Sequence, residues 1–353
     1  MNDVSPAPAL SVVIPTMGRP TVIRTVRSLL AADPLPGKLP PPEIVVAGHI
    51  PSPAVAAELD ALLAANPPPR LRHLDISFPT GDSSLKKDHG AAATHAPVVA
   101  FIDDDVVVAP DWPAKILEPF NDPAVGLVSG PSLIPDDLNL VGRLAGAVLS
   151  STAAGWVAER YRQNADAPYP VDWERIIGCN AAYRRATFDA IGGFPPDFYP
   201  GEEMIAAYRA QKNPGKRAKL MFVPGARLWH YPRQSVPRFW RQMWTYGATR
   251  IRLIRAGTDF HPASIAPALL VLALLALGIA AFFHPYALQA LLGILALYFL
   301  FCLVVTLGTC CRLCRPYALL LLLFIPLMHI AYGLAEWTEL FRPNRDFSER
   351  PPA

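Results

Sequence analysis

Residues 98–105 of the chain read VVAFIDDD, five apolar residues followed directly by three aspartates. The apolar run has the length and the β-branched content of a strand buried in a parallel sheet. Carboxylates at the end of such a strand do not serve packing, because an unpaired buried charge is expensive. Side chains alternate along an extended chain, so Asp103 and Asp105 point to one side and can approach a single hard cation. We therefore predict a Mg²⁺ or Mn²⁺ site here, with a solvated acidic loop as the alternative.

The first half of the chain alternates between strand patterns and helix patterns. We predict strands at residues 10–14, 43–47, 71–76 and 98–102. Helical spacing lies between them, at residues 22–32 and 55–65 and in a stretch that ends at 91–95. This alternation is typical of βαβ units, in which helices cover both faces of a mostly parallel sheet. Ligands of such sheets bind at the carboxyl ends of the strands, which places residues 15–19 and 103–105 on the same edge.

The C-terminal third of the chain is strongly apolar. Of the 353 residues, 52% are hydrophobic and 17% are charged, and no Asp, Glu, Lys or Arg occurs among the 52 residues from 260 to 311. One membrane-spanning helix needs about 20 apolar residues, so this run has room for two, separated by His284 and Pro285. A third apolar run contains Pro326 and His329, which allow it to be tilted, kinked or partly interfacial. The predicted spans are residues 264–283, 286–307 and 316–335.

The basic residues predict the orientation of these spans. Twelve Lys and Arg residues and no acidic residue lie between positions 204 and 258, and six of them, from Arg233 to Arg255, precede the first span. The positive-inside rule then places residues 1–260 in the cytoplasm of a multi-pass membrane protein. The N-terminal residues show no signal-peptide pattern, which agrees. The arginines either attract anionic lipid head groups or only set the topology.

Charge and cysteine content exclude other classes. The formal net charge is +3, too small to predict a nucleic-acid partner. Five cysteines are too few for a disulfide scaffold. Cys310, Cys311 and Cys314 cluster at the edge of a predicted span, but zinc needs four ligands and no nearby residue supplies the fourth. Packing of small apolar side chains or incidental lipidation is the better interpretation of this cluster.

Further motifs follow the first strand and the aspartates in a fixed order. They are VVIPT at residues 12–16 with Arg19 after it, GCNAAYRR at 178–185, GGF at 192–194, GEE at 201–203 and VPGARLWH at 223–230. This order resembles the family 2 glycosyltransferases, which have the nucleotide-diphospho-sugar transferase (GT-A) fold, and the likeness covers roughly residues 10–255. Residues 239–247 and 329–333 look like the membrane-anchored subgroup that makes bacterial surface polysaccharides such as succinoglycan. This likeness implies a bacterial plasma membrane as the setting.

The resemblance implies a metal site and a catalytic base. In the family a divalent metal, here Mn²⁺ or Mg²⁺, is held by a D-x-D motif, matched by Asp103 and Asp105. His230 falls where the family often has a histidine that contacts the metal or the diphosphate, the alternative being a place in the cluster of aromatic residues around it. The family's acidic pair is matched by Glu202 and Glu203. We expect Glu203 to be the base and Glu202 to orient it or replace it, whereas two glutamates that merely open a helix are the alternative.

The resemblance also implies contacts with a UDP- or GDP-sugar donor. The residues expected to make them are Pro15, Thr16, Arg19, Lys87, Asp88, Asp104 and Asn180, the last on the side expected to face the acceptor. One departure from the family's pattern concerns the base of the nucleotide. After the second strand the family has an acidic pair that reads the base, whereas this chain continues with Ala47, Gly48 and His49. The identity of the nucleotide is therefore left open.

Together these features predict an α/β protein with a Rossmann-like GT-A domain followed by transmembrane helices. The expected boundaries are a cytoplasmic domain at residues 1–232, a basic amphipathic interface segment at 233–260, a membrane region at 261–335 and a tail at 336–353, whose side of the membrane is left open. The expected function is inverting transfer of a single sugar to a lipid-linked or cell-surface glycan acceptor. Two alternatives are a polyprenyl-phosphate acceptor and a catalytically silent membrane scaffold of the same fold.

Overall fold

The computed structural model describes residues 8–77, 83–196, 198–212, 215, 217–231 and 233–343. These residues form two compact units, one with residues 8–135 and 159–231 and one with residues 136–158 and 233–343. The second unit therefore includes residues 136–158, which the sequence assigns to the first domain. Residues 1–7 and 232 of the predicted domain and residues 344–353 of the predicted tail lie outside the described residues.

The described part of the first unit is built on two sheets. Its strands are β1 Leu10–Pro15, β2 Glu43–Ala47, β3 Leu71–Leu74, β4 Val98–Ile102, β5 Val106–Val108, β6 Val125–Ser129, β7 Ser132–Leu133, β8 Tyr169–Pro170, β9 Asn180–Arg184, β10 Lys219–Phe222 and β11 Leu228–His230. The larger sheet has the order β3-β2-β1-β4-β9-β6-β10-β8, and the smaller has the order β5-β11-β7. In the larger sheet β1 to β4 are parallel, whereas β9 runs antiparallel to both β4 and β6.

Helices follow the strands as the sequence pattern predicts. The described α-helices are α1 Thr21–Leu30, α2 Pro53–Ala65, α3 Ser83–Ala92, α4 Trp112–Leu117, α5 Leu140–Leu149, α6 Arg185–Ala190, α7 Glu202–Lys212, α8 Val236–Arg255, α9 Ala266–Ala280, α10 Pro285–Leu313 and α11 Leu321–Leu340. Every residue of β2 and β4 is buried, as expected for central strands covered on both faces. Helix α1 presents Val22, Val26 and Leu29 to the core on one stripe.

The third strand is shorter than its sequence predicts. The pattern predicts residues 71–76, but β3 ends at Leu74, whose carbonyl oxygen accepts a hydrogen bond from the amide of Gly48 at 2.9 Å. Gly48 has a φ of 146°, and a Cβ there would collide with the carbonyl oxygen of Thr16. The segments that follow β1, β2 and β3 therefore lie so close together that only glycine fits at position 48. Asp75 lies beyond the end of β3.

The smaller sheet brings a distant part of the chain to the end of β4. Strand β5 follows the three aspartates directly, and β11 pairs with it antiparallel, so that His230 lies opposite Val106. Strand β7 pairs with the other edge of β11. This pairing places His230 next to aspartates that precede it by more than 120 positions.

The second unit contains three helical segments long and apolar enough to cross a membrane. They are Pro262–Ala280, Pro285–Leu313 and Pro316–Leu340, with 19, 29 and 25 residues. At 1.5 Å per residue each reaches roughly the 30 Å of a bilayer core or more. The third continues to residue 340, beyond the predicted end at 335, and Pro326 lies within it.

Helix α8 contains most of the basic segment and packs against α11. Arg252 binds Glu339 through Nε to Oε1 at 2.9 Å and through Nη2 to Oε2 at 3.3 Å. Arg255 donates to the carbonyl oxygen of Leu340 at 2.9 Å. These two arginines are therefore engaged within the protein, whereas Arg238 is exposed.

Candidate active site

Two carboxylates and an imidazole converge at the end of β4. One ligand atom each from Asp103, Asp105 and His230 lies within 4.8 Å of the others, and Nε2 of His230 is 3.1 Å from Oδ1 of Asp105. Carboxylate oxygens with one imidazole nitrogen form a donor set that suits Mn²⁺ and also Mg²⁺. The chemistry of these residues therefore fits the divalent metal predicted from the sequence.

Buried charge changes the protonation of this cluster. Burial raises the pKa of Asp103, and the positive charge of Lys87 partly counters that effect. Burial alone would lower the pKa of His230, but the neighbouring Asp105 carboxylate outweighs it and holds that pKa well above its usual range. Without a bound cation, the imidazolium thus acts as a counter-charge to the aspartates.

Asp104 points away from the cluster and binds the loop that follows β1. The hydroxyl of Thr16 donates to Oδ2 of Asp104 at 2.6 Å, and the guanidinium of Arg19 lies 2.6 Å from Oδ1. Arg19 also pairs with Oδ2 of Asp105 at 2.9 Å, and its side chain remains 48% exposed. The first loop is therefore fixed beside the candidate metal ligands. The sequence predicts Pro15, Thr16 and Arg19 as donor contacts, and all three lie at or just after the end of β1.

A buried ion pair lies on the other side of the aspartates. Nζ of Lys87 is 2.8 Å from Oε1 of Glu202, and the two side chains are only 3% and 2% exposed. The other oxygen of Glu202 accepts from the amide of Gly201 at 3.1 Å. Burial opposes the charge on Lys87, but the carboxylates of Glu202, Asp103 and Glu203 raise its pKa above the ordinary value. Lys87, which the sequence predicts as a donor contact, is thus buried in an ion pair with Glu202.

Glu203 lies at the first turn of α7, beside the backbone that leads into β9. A Cβ at position 178 would lie 3.2 Å from its Cδ, so Gly178 leaves room for the carboxylate. Burial, followed by the negative charge of Glu202, raises the pKa of Glu203 to about 7. A carboxylate with that pKa is well suited to accept a proton near neutral pH.

Two further residues predicted to contact the donor form hydrogen bonds within the protein. Asn180 is fully buried; its Oδ1 accepts from Nε1 of Trp112 at 2.9 Å, and its Nδ2 donates to the carbonyl oxygens of Pro131 and Ala226. A donor contact through the amide of Asn180 would have to compete with these hydrogen bonds. Oδ1 of Asp88 accepts from the amide of Phe194 at 3.0 Å, which fixes the glycine turn at 192–193.

One polar pair on the same sheet edge is not among the residues predicted from the sequence. Nδ1 of His49 donates to Oδ1 of Asp75 at 2.9 Å, and the side chains are 53% and 63% exposed. The two residues follow β2 and β3, so the rule that places residues 15–19 and 103–105 on one edge applies to them as well. Because the sequence pattern predicts that β3 continues to residue 76, it places Asp75 within the strand and not among the residues that follow it.

Comparison with known proteins gives the family and the fold of the chain. The family model for glycosyl transferase family group 2 matches residues 98–334, about two thirds of the chain. A mannosyltransferase from Pyrobaculum calidifontis, solved in complex with GDP-Man and Mn²⁺, superposes with a TM-score of 0.57 at 16% identity, over 96% of this chain and 88% of that one. No curated protein sequence matches significantly. The fold is GT-A-like with three apolar C-terminal helices, and the chain belongs to glycosyl transferase family group 2.

Proposed function

We propose that the protein is a hexosyltransferase that moves one sugar from a nucleotide-diphosphate sugar to a lipid-linked or cell-surface glycan acceptor, with inversion at the anomeric carbon. The observation that carries this proposal is the convergence of Asp103, Asp105 and His230 in the same unit as the acidic pair at 202–203. Sugar transfer needs both a cation site for the leaving group and a base for the acceptor.

The cation site would act on the leaving diphosphate. When bound, a divalent ion supplies positive charge that stabilises the negative charge developing on the leaving oxygen. Asp103, Asp105 and His230 would hold it, and Mn²⁺ is favoured over Mg²⁺ because one donor is an imidazole. That the mannosyltransferase of similar fold was solved with GDP-Man and Mn²⁺ supports this assignment. Arg19, with half of its side chain exposed, would contact the donor phosphates.

Glu203 would take the proton of the acceptor hydroxyl. A pKa of about 7 leaves a substantial fraction of the carboxylate ionised at neutral pH and still makes it basic enough to receive a proton. The buried Lys87–Glu202 pair fixes the start of α7 and so restricts the position of Glu203. Inversion follows if the hydroxyl attacks the sugar carbon on the face opposite the leaving diphosphate.

The three long apolar helices support membrane association. We propose that they span the bilayer with the catalytic unit in the cytoplasm, in keeping with the basic residues that precede the first span. A lipid-linked acceptor, as in the polysaccharide-forming subgroup that the sequence resembles, would then meet the enzyme at the membrane.

The test is a panel of UDP- and GDP-sugars offered with Mn²⁺ to the detergent-solubilised full chain. We expect metal-dependent hydrolysis or transfer with at least one donor. Activity should fall by about 100- to 1000-fold in Asp105→Asn, since the variant removes one charged ligand. Asp166→Asn, which makes the same change on an exposed residue, should retain full activity. Full metal-dependent activity in Asp105→Asn would contradict the proposal.

A further inference from the structure

A continuous line of contacts runs along the carboxyl edge of the larger sheet. It begins at Asp104, which accepts from the hydroxyl of Thr16 at 2.6 Å. The amide of Thr16 donates to the carbonyl oxygen of Ala47 at 2.9 Å, and the amide of Gly48 donates to that of Leu74 at 2.9 Å. The line ends at the His49–Asp75 pair beyond β2 and β3.

The opposite direction along the edge is filled by the protein. Beyond β4 lies β9, whose first residue, Asn180, is fully buried and hydrogen-bonded to Trp112. His230 of the smaller sheet covers the same side of the aspartates. A nucleotide whose diphosphate lies at Asp103 and Asp105 therefore extends toward β3.

The outer end of this line has the dimensions and the polarity of a base-binding site. From β4 to β3 there are three strand spacings, about 14 Å, which is comparable to the reach of an extended nucleoside diphosphate. The surface beside Asp75 is a wide, open depression, and its lining includes His73, Ile76 and His89. The imidazole of His73 is itself fixed, because Nε2 donates to the carbonyl oxygen of Gly48 at 2.8 Å.

We propose that Asp75, held by His49, recognises the base of the donor nucleotide and selects guanine. The inference rests on the proposed function, because it assigns the specificity of the same site. A carboxylate only accepts hydrogen bonds, so Nδ1–H of His49 donates to Oδ1 and fixes the orientation of the group. Guanine presents two neighbouring donors, N1–H and the N2 amino group, which match the two oxygens of a carboxylate. Uracil presents a single N–H donor, so it can make only one of these two hydrogen bonds.

The experiment compares GDP, IDP and UDP binding to the full chain with Mn²⁺ by calorimetry. IDP differs from GDP only in lacking the N2 amino group. The wild-type protein should bind GDP about 10- to 100-fold more tightly than IDP or UDP, the size expected for a hydrogen bond to a charged group. In Asp75→Asn the affinity for GDP should fall to that for IDP, and UDP binding should not weaken. Asp60→Asn, an exposed carboxylate on α2, is the matched control.

Each remaining outcome contradicts the inference. Equal weakening of GDP and UDP in Asp75→Asn would make the pair a general structural feature, and an unchanged preference would place base recognition elsewhere. A wild-type preference for UDP would overturn the choice of guanine while leaving the transferase proposal intact. Absence of any Mn²⁺-dependent nucleotide binding to the wild-type protein would refute the proposed function, and this inference with it.

Discussion

Replacing Lys87 with methionine should destabilise the first unit far more than the same change at a partly exposed lysine. The lysine and its partner Glu202 are 3% and 2% exposed, and their charged atoms are 2.8 Å apart. Removing one partner of a buried ion pair typically costs about 3–5 kcal/mol, because the other charge stays buried without compensation. Asp103 and Glu203 are also close enough to act on the charge of Lys87. Without that charge, the repulsion among these two carboxylates and Glu202 would increase. For a unit of about 200 residues, that cost corresponds to a fall of roughly 10 °C in Tm.

The assay is thermal unfolding of the detergent-solubilised full chain, with two further variants. Lys115→Met removes a lysine whose side chain is 44% exposed and lies 3.6 Å from Glu118, and it should change stability by less than about 1 kcal/mol. The double variant Lys87→Met with Glu202→Leu removes both charges, and it should recover more than half of the loss. A Lys87→Met protein as stable as the Lys115→Met protein would refute the reasoning, as would a double variant less stable than either single one.

Three further outcomes are expected for activity and the first unit, and one for the second unit. The transfer rate should rise with pH through about 7 and then level off, because Glu203 accepts the acceptor proton only when ionised; a rate independent of pH between 5 and 9 would contradict this. Glu203→Gln should lower transfer by several orders of magnitude while donor binding by calorimetry persists, whereas a small loss would favour an already ionised phosphate acceptor. Thr16→Val should cost about 1–3 kcal/mol in thermal unfolding, since Asp104 loses its 2.6 Å hydrogen bond, and a neutral result would contradict it. Glu339→Gln should destabilise the second unit by about 2–4 kcal/mol, because it weakens the bidentate contact with Arg252. Thermal unfolding of this variant, beside Arg252→Gln, which weakens the same contact from the other side, measures the loss.

The local sequence was sufficient for the fold class and for the end of β4. A run of five apolar residues followed by three aspartates allowed a buried strand and a cation site to be inferred together, because no packing advantage explains those carboxylates. The apolar helices followed from the absence of charge over 52 residues. Both inferences depend on interactions within one short segment, which composition and periodicity report directly.

The residues that complete the site are brought together by contacts between distant parts of the chain. His230 reaches the aspartates only because β11 pairs with β5, and Lys87 meets Glu202 because α3 and α7 bring the two side chains together. Asn180 is predicted as a donor contact from its motif, and only the folded chain shows that its amide bonds to Trp112 and to two backbone carbonyls.

The sequence alone therefore determined which charged side chains lie at the edge of the sheet, because a strand and the polar residues that follow it are recognised from one short segment. The tertiary structure decided which of these charges meet, because a pairing over a hundred positions depends on register and packing that no single segment encodes. The His49–Asp75 pair shows the division most clearly: its residues lie 26 positions apart and become neighbours only where β2 and β3 end side by side.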